Sequence, residues 1–179
     1  LNYRLNDQWT VLGGAHQGFA PPGNTAVEGS RGEESVNYEG GLRFRADRFS
    51  LDVIGFYTDY DNALRNCRVA NPCADGSIDG AQQDGAKTVY GVEVLLHADL
   101  YEGDGLRIPV QLVYTYTDGE YTRGADVASG VRKGDVLDYT PRNIGRVLVG
   151  LEHEAGFNIN LALNYSDGAC TTTTCGRAG

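Results

Sequence analysis

The feature that most limits what this chain can become is an apolar–polar alternation of period two, repeated along most of its length. Between 157 and 166, Phe157, Ile159, Leu161, Leu163 and Tyr165 alternate with Asn158, Asn160, Ala162, Asn164 and Ser166. Only an extended strand, whose successive side chains leave opposite faces, turns that order into one wet and one apolar surface. Residues 88–100 repeat it, setting Thr88, Tyr90, Val92, Val94, Leu96, Ala98 and Leu100 against Val89, Gly91, Glu93, Leu95, His97 and Asp99. Residues 106–116 set Leu106, Ile108, Val110, Leu112, Tyr114 and Tyr116 against Arg107, Pro109, Gln111, Val113 and Thr115. Residues 35–45 set Val36, Tyr38, Gly40, Leu42 and Phe44 against Ser35, Asn37, Glu39, Gly41, Arg43 and Arg45. The pattern is rougher over 144–152, and residues 9–19 and 49–60 are strand-like but less cleanly alternating. About seven strands and a stub at 2–5 are expected.

The connections narrow the architecture further. Short ones fall at 6–7, 46–48, 101–105 and 154–156; long ones fall at 18–34, 61–86, 119–138 and from 167 onward. Short and long alternate, so an up-and-down meander would gather every short turn at one end of the sheet and every long loop at the other. Transmembrane β-barrels have that asymmetry, whereas a soluble sandwich has no reason to produce it. The expected strands also reach the roughly 9–11 residues that a tilted membrane strand needs, beyond the ~5–6 of an average soluble one. The expected fold is therefore all-β: an antiparallel up-and-down meander forming part of a transmembrane β-barrel. The rival is a soluble β-sandwich binding domain with one wet face per sheet.

Composition agrees. Gly is 25 of 179 residues and Tyr outnumbers Phe by 11 to 5, which suits turns and a sheet whose aromatics have one wet end. No apolar run approaches the ~18 residues of a membrane helix. A mean hydropathy of −0.35 is compatible with a barrel, because every second residue of its strands faces the lumen. The net charge of −9 argues against a nucleic-acid partner held by a basic surface. The chain has no Met, begins at Leu1 and shows no charged-then-apolar leader, so it is expected to be an internal segment of a longer polypeptide.

Chemistry-bearing motifs are sparse. Cys67 and Cys73 lie in one expected long loop, Cys170 and Cys175 in another. Pairs this close cannot staple distant strands, so they read as local loop disulfides, which need an oxidising compartment; the spacings do not suit zinc. His16, His97 and His153 stand alone, without the paired spacing of a metal site. Asp75, Asp79 and Asp84 lack the order of a calcium loop. Neither a nucleophile elbow nor a phosphate-binding loop occurs, so neither an enzyme nor a resident cofactor or metal is expected.

The segment Gly13-Gly14-Ala15-His16-Gln17-Gly18-Phe19-Ala20-Pro21-Pro22, followed by Glu34-Ser35-Val36-Asn37-Tyr38-Glu39-Gly40-Gly41-Leu42-Arg43, resembles TonB-dependent outer-membrane receptors, nearest to the ferric-citrate and siderophore type. Further segments similar to that family are Phe56-Tyr57-Thr58-Asp59-Tyr60-Asp61-Asn62, Val89-Tyr90-Gly91-Val92-Glu93 and Tyr139-Thr140-Pro141-Arg142-Asn143. In this likeness Gly18, Phe19, Pro21, Pro22, Ser35, Asn37, Tyr38 and Glu39 are structural motif positions. It covers about residues 9–165 and treats 1–179 as one partial barrel domain, without the family's N-terminal plug, TonB box or final strands.

The resemblance implies TonB-coupled import of a ferric siderophore or similar chelate across the outer membrane of a Gram-negative bacterium. It implies outer-membrane lipid and TonB as partners, TonB acting through the plug, with the long loops extracellular and iron present only inside the bound chelate. A passive pore or adhesin-like barrel is the alternative. Loops 18–34, 61–88 and 119–138 hold seven bases (Arg31, Arg65, Arg68, Lys87, Arg123, Arg132, Lys133) and eleven acids (Glu28, Glu33, Glu34, Asp61, Asp75, Asp79, Asp84, Glu120, Asp126, Asp135, Asp138), so they form no broad anion funnel. Arg43, Arg45 and Arg107 lie beside short turns, at the expected periplasmic end. Arg142 is expected to turn with Arg146 to the polar face, high in the lumen, and His16 to lie near the upper end of its strand, opposite Trp9 and Val11. Arg142 and His16, with loop residues Arg123, Arg132 and Lys133, are candidate contacts for an anionic chelate; alternatively Arg142 pairs with a neighbouring lumen carboxylate.

Overall fold

The computed structural model describes residues 1–22, 29, 31–69, 72–73, 76–124, 131–172 and 175. Its strands are β1 (Asn2–Arg4), β2 (Trp9–Ala20), β3 (Glu33–Ala46), β4 (Phe49–Asn66), β5 (Ala81–Gly103), β6 (Leu106–Gly124), β7 (Asn143–His153) and β8 (Phe157–Ser166). They form a single eight-stranded sheet in chain order, each pairing antiparallel with the next. This is the expected meander, and the short and long connections alternate along it.

The short turns carry their own chemistry. Asn6 Oδ1 accepts hydrogen bonds from the backbone N–H groups of Gln8 and Trp9 at 2.9 and 2.8 Å, so the first reversal is an Asx turn. Asp104 and Gly105, at φ 51° and 72°, make the two-residue hairpin whose twist matches its strands. Gly156, at φ 92°, occupies the left-handed position of the turn between β7 and β8.

Three strands exceed their expected ends: β4 runs to Asn66, β5 starts at Ala81 and β6 continues to Gly124. The connections are correspondingly shorter than 61–86 and begin later than 119. A register shift between Tyr60 and Ala63, with Asn62 at φ 53°, lets the β4–β5 ladder continue through a polar stretch that otherwise reads as loop. Above that bulge lies the best-buried apolar cluster among the described residues: Ala63, Cys67, Cys73, Ala86, Tyr121 and Val131. The remainder of the sheet exposes large apolar residues, Leu161 and Leu163 among them, and no helix is long and apolar enough to cross a membrane.

Register decides which residues share a face. Trp9, Phe44, Leu51 and Leu96 are consecutive cross-strand partners, as are Val11, Leu42, Val53, Val94 and Tyr114. The row beginning at Leu112 continues through Val147 to Leu163. The apolar sides of all the alternating segments therefore merge into one surface. Their polar sides merge on the reverse.

Candidate functional site

Aromatic rings border the apolar face at both ends. Near the long connections Tyr38, Tyr57 and Tyr90 stand directly opposite one another on β3, β4 and β5, with Tyr114, Tyr116 and Tyr165 on the same face farther along. Near the short turns Trp9 packs on Phe44 and Phe44 on Phe49, at centroid distances of 4.9 and 5.8 Å. From Phe49 to Tyr57 strand β4 climbs roughly 26 Å at ~3.3 Å per residue, or about 20 Å of depth at a barrel tilt near 40°. Leu51, Val53 and Gly55 fill the interval. Two aromatic girdles around an apolar band are the physical signature of a strand wall crossing a bilayer.

The polar face carries a recess of about 410 Å³ toward the long-connection end, lined among others by His16, Gly18, Asn37, Glu39, Thr58 and Glu93. The Thr58 hydroxyl donates to Asn37 Oδ1 at 2.8 Å, and the Asn37 amide donates to Glu39 Oε1 at 2.5 Å, linking β4 to β3. Gly18 opposes Ser35 in register, and a Cβ on it would lie 2.5 Å from Ser35 Oγ, so the glycine makes room for that hydroxyl. Gly14 does the same for His16, whose Nε2 would sit 2.9 Å from a Cβ there. Glu39 and Glu93 are exposed and, among the described residues, have no cationic partner.

Most motif positions thus have a local physical account. Ser35, Asn37 and Glu39 face the recess, whereas Tyr38 belongs to the aromatic row on the other side. Phe19 packs over Gly32, and Pro21 and Pro22, which lack backbone N–H groups, follow the last ladder pair, Ala20 with Glu33. Sequence reasoning missed Thr58 and Glu93 as partners in the recess. Glu93 lies on the polar side of its alternation and lines the same recess, while Thr58 sits on a mixed face and is brought to Asn37 by the register.

Toward the short turns the polar face is cross-linked. Asp52 holds both Arg43 and Arg45 at 3.0 and 2.5 Å, and Arg107 reaches Asp99 at 2.9 Å and Glu152 at 3.2 Å. His97 lies 3.8 Å from Asp99, and His153 stacks on Phe157 at 4.9 Å. Among the described residues no group of three or more His, Cys, Asp or Glu is arranged to hold a metal.

The five candidate ligand contacts do not converge. His16 lines the recess; Arg123 pairs with Asp61 at 2.9 Å; Arg132 and Lys133 are exposed on the returning connection, where Asp135 accepts the Arg132 N–H at 2.7 Å. Arg142 departs from its expected placement. Its Nε lies 3.3 Å from Asp118, and Asp118 is the cross-strand partner of Tyr90, on the aromatic face. Arg142 precedes β7, which begins at Asn143, so strand parity with Arg146 does not govern it. It lines a separate cleft of about 300 Å³ with Asp118, Val136, Leu137, Thr140 and Cys170. Nearby, Asp167 accepts the Tyr165 hydroxyl at 2.6 Å and the Asn143 amide at 2.5 Å, bonds that hold its carboxyl below its usual range.

Both expected disulfides are present, Cys67–Cys73 and Cys170–Cys175, with Cα separations of 5.1 and 6.0 Å. The backbone N–H of Tyr139 donates to the Cys170 carbonyl at 2.7 Å, which ties the second clasp to the β6–β7 connection. Of the expected loop charges, Glu28, Asp75 and Asp126 and the side chains of Arg65 and Asp84 lie outside the described residues.

A family model described as TonB dependent receptor-like, beta-barrel matches residues 1–175. Among solved structures, the chain is similar to the ferric yersiniabactin uptake receptor FyuA of Yersinia pestis, at 18% identity and a TM-score of 0.66, covering 92% of this chain and 24% of that one. It is also similar to the FrpB iron transporter of Neisseria meningitidis (12% identity, TM-score 0.65, 92% and 25% covered) and to the copper transporter OprC (14%, 0.65, 91% and 24%). At these identities the likeness shows the fold alone. The chain spans about a quarter of the length of these relatives. No curated protein matches the sequence.

Proposed function

Because the chain belongs to the TonB-dependent receptor β-barrel family, we propose that it is a wall segment of an outer-membrane receptor of a Gram-negative bacterium, importing a ferric siderophore or similar metal chelate with energy supplied through TonB. The observation that carries this reading is the two-sided wall. One face is an apolar band between aromatic girdles; the reverse is polar, with a recess toward the long connections. A closed barrel of such strands satisfies every backbone group in lipid and encloses a hydrated lumen. In this orientation the long connections are extracellular and the two disulfide clasps stiffen them. The relatives' own descriptions, an uptake receptor and iron and copper transporters, support metal cargo as the class. Iron is cargo here, never a resident cofactor, and the segment performs no catalysis.

First capture falls to the exposed cations at the outer end of the wall, Arg132 and Lys133 on the β6–β7 connection and Arg123 at the end of β6, where Asp61 shares its guanidinium, with His16 below them in the recess. Arg142 is left out of this set because Asp118 engages its guanidinium on the lipid-facing side. Within the lumen, Glu39 and Glu93 offer carboxylates that have no cationic partner among the described residues. The test is uptake in Gram-negative cells carrying the full receptor, with radioactive iron offered separately as citrate, hydroxamate and catecholate chelates, with and without TonB. TonB-dependent accumulation of at least one chelate supports the reading. TonB-independent leakage of all small solutes would replace it with the passive pore.

A further inference from the structure

On the apolar face the wall is not smooth. A groove of about 410 Å³ crosses it from β5 to β8, lined among others by Val94, Leu112, Tyr114, Gly145, Val147 and Leu163. Register explains the hollow. Tyr114, Gly145 and Tyr165 are consecutive cross-strand partners, one row outward of Leu112, Val147 and Leu163, so a residue without a side chain separates two tyrosines. Gly145 is not among the positive-φ glycines, and a Cβ there would touch only the Tyr114 ring, at 3.9 Å. Its backbone does not call for glycine; what the glycine leaves is space.

Outward of this groove lies the cleft of about 300 Å³ that holds Arg142. The Thr117 N–H donates to the Arg142 carbonyl at 2.9 Å, which continues the β6–β7 register and sets Arg142 three residues, or ~10 Å of strand, beyond Gly145. Its Nε meets Asp118 at 3.3 Å, while 60% of the side chain stays exposed. Asp118 also accepts the Gly119 N–H at 2.9 Å and the Tyr116 hydroxyl at 3.4 Å, and Asp167 accepts the Tyr165 hydroxyl and the Asn143 amide. These bonds fix one guanidinium and two carboxylates at the level of the tyrosine hydroxyls, where the apolar band of a bilayer gives way to headgroups. An apolar groove beneath a polar cleft has the shape of one amphiphile. Charge narrows its headgroup. A phosphate on Arg142 would approach two carboxylates, which is favourable only if the same molecule brings a cation to them.

The geometry points to a discrete site for one phospholipid with a zwitterionic phosphate–amine headgroup, on the lipid-facing side of β6–β8. One acyl chain lies in the groove at Gly145, the phosphate meets the exposed edge of the Arg142 guanidinium, whose planar fork of donors matches paired phosphate oxygens, and the ammonium faces Asp118 and Asp167. The inference rests on the proposed reading only in requiring that this face meet lipid.

The experiment titrates the full receptor, purified in non-ionic detergent, with dioleoyl phosphatidylethanolamine and counts bound lipid by native mass spectrometry. Dioleoyl phosphatidylglycerol, dioleoylglycerol and free phosphoethanolamine are the comparison probes, and folding is checked by retention of the heat-sensitive compact form on gels. One phosphatidylethanolamine should bind saturably, about tenfold more tightly than any of the three comparison probes. Arg142→Gln, which removes the charge, and Gly145→Ile, which fills the groove, should each weaken it about tenfold, whereas Arg146→Gln on the reverse face should not. Should Arg142→Gln fail to fold, Gly145→Ile gives the same readout. Unchanged binding in the folded variants would overturn the site, as would equal weakening by Arg146→Gln. Phosphatidylglycerol binding as tightly would overturn the zwitterionic headgroup, and free phosphoethanolamine binding as tightly would overturn the lipid. A carbonate wash of cell membranes separates this inference from the reading beneath it. A receptor that washes off sinks the membrane wall and the site together, whereas one that stays embedded yet holds no phosphatidylethanolamine sinks the site alone.

Discussion

Replacing Leu161 by Arg tests the orientation of the whole wall. Leu161 lies midway between Phe157 and Tyr165, and its register partner is Val149 on β7. Four residues on either side correspond to ~13 Å of strand, or about 10 Å of depth at a tilt near 40°, so its side chain enters the middle of the apolar band. An Arg at the bilayer midplane of a barrel costs about 2–4 kcal/mol. That corresponds to roughly a 30- to 900-fold fall in the folding equilibrium. Val94, opposite Val53 and Tyr114, occupies the same depth and should behave alike. Asn160 is adjacent to Leu161 but opposes Gly150 on the polar side, so Asn160→Arg should cost under about 1 kcal/mol. The assay is reversible urea unfolding of the full receptor in lipid vesicles, followed by tryptophan fluorescence and by gel mobility. Equal costs for Leu161→Arg and Asn160→Arg would refute the assignment of faces, and with it the argument that the chain crosses a membrane.

Three further outcomes follow from particular contacts. A Cβ on Gly41 would fall onto the Val53 carbonyl, whereas one on Gly40 meets nothing within 4 Å; Gly41→Ala should therefore destabilise by about 1–3 kcal/mol and Gly40→Ala by under ~0.5 in the same titration. Replacing Cys67 and Cys73 by Ser should lower the unfolding free energy by less than the ~3 kcal/mol that chain entropy assigns to closing a 15-residue loop, and increase protease cleavage between 67 and 80. The Asp167 carboxyl is held below its ordinary value of 3.8 by the Tyr165 hydroxyl and the Asn143 amide. A lowered folded-state value means stability that is full above the unfolded value and lost as pH falls through the folded one. Hydrogen exchange at the outer ends of β7 and β8 should accordingly rise below about pH 4, and Asp167→Asn should abolish that rise.

How much of this was legible in the sequence depends on whether a residue's role is set by its own strand or by another. Within the apolar band, parity is enforced by lipid on one side and water on the other, so Tyr38, Val94, Leu112 and Leu161 announce their faces and the meander can be read directly. Above the tyrosine row neither side needs to be apolar. There β4 and β5 continue as paired strands through Asp61, Asn62, Gln82 and Gln83, residues whose types signal loop. Ala63 and Ala86 are buried within this outer stretch, which no local pattern reveals. Arg142 shows the complementary limit. Parity belongs to a ladder, and one residue before β7 begins it no longer applies, so a side chain assigned to the lumen instead meets Asp118 on the other face. The recess combines both cases. Asn37 and Glu39 disclose their side by alternation, yet the bond from Thr58 to Asn37 exists only because β3 and β4 pair Asn37 with Thr58 and not with the residues on either side. Register is thus what turns a list of polar positions into a site. It also separates Arg146 from Arg43 and Arg107: the residues paired across from those two include Asp52 and Glu152, while those across from Arg146 are Val113 and Asn164.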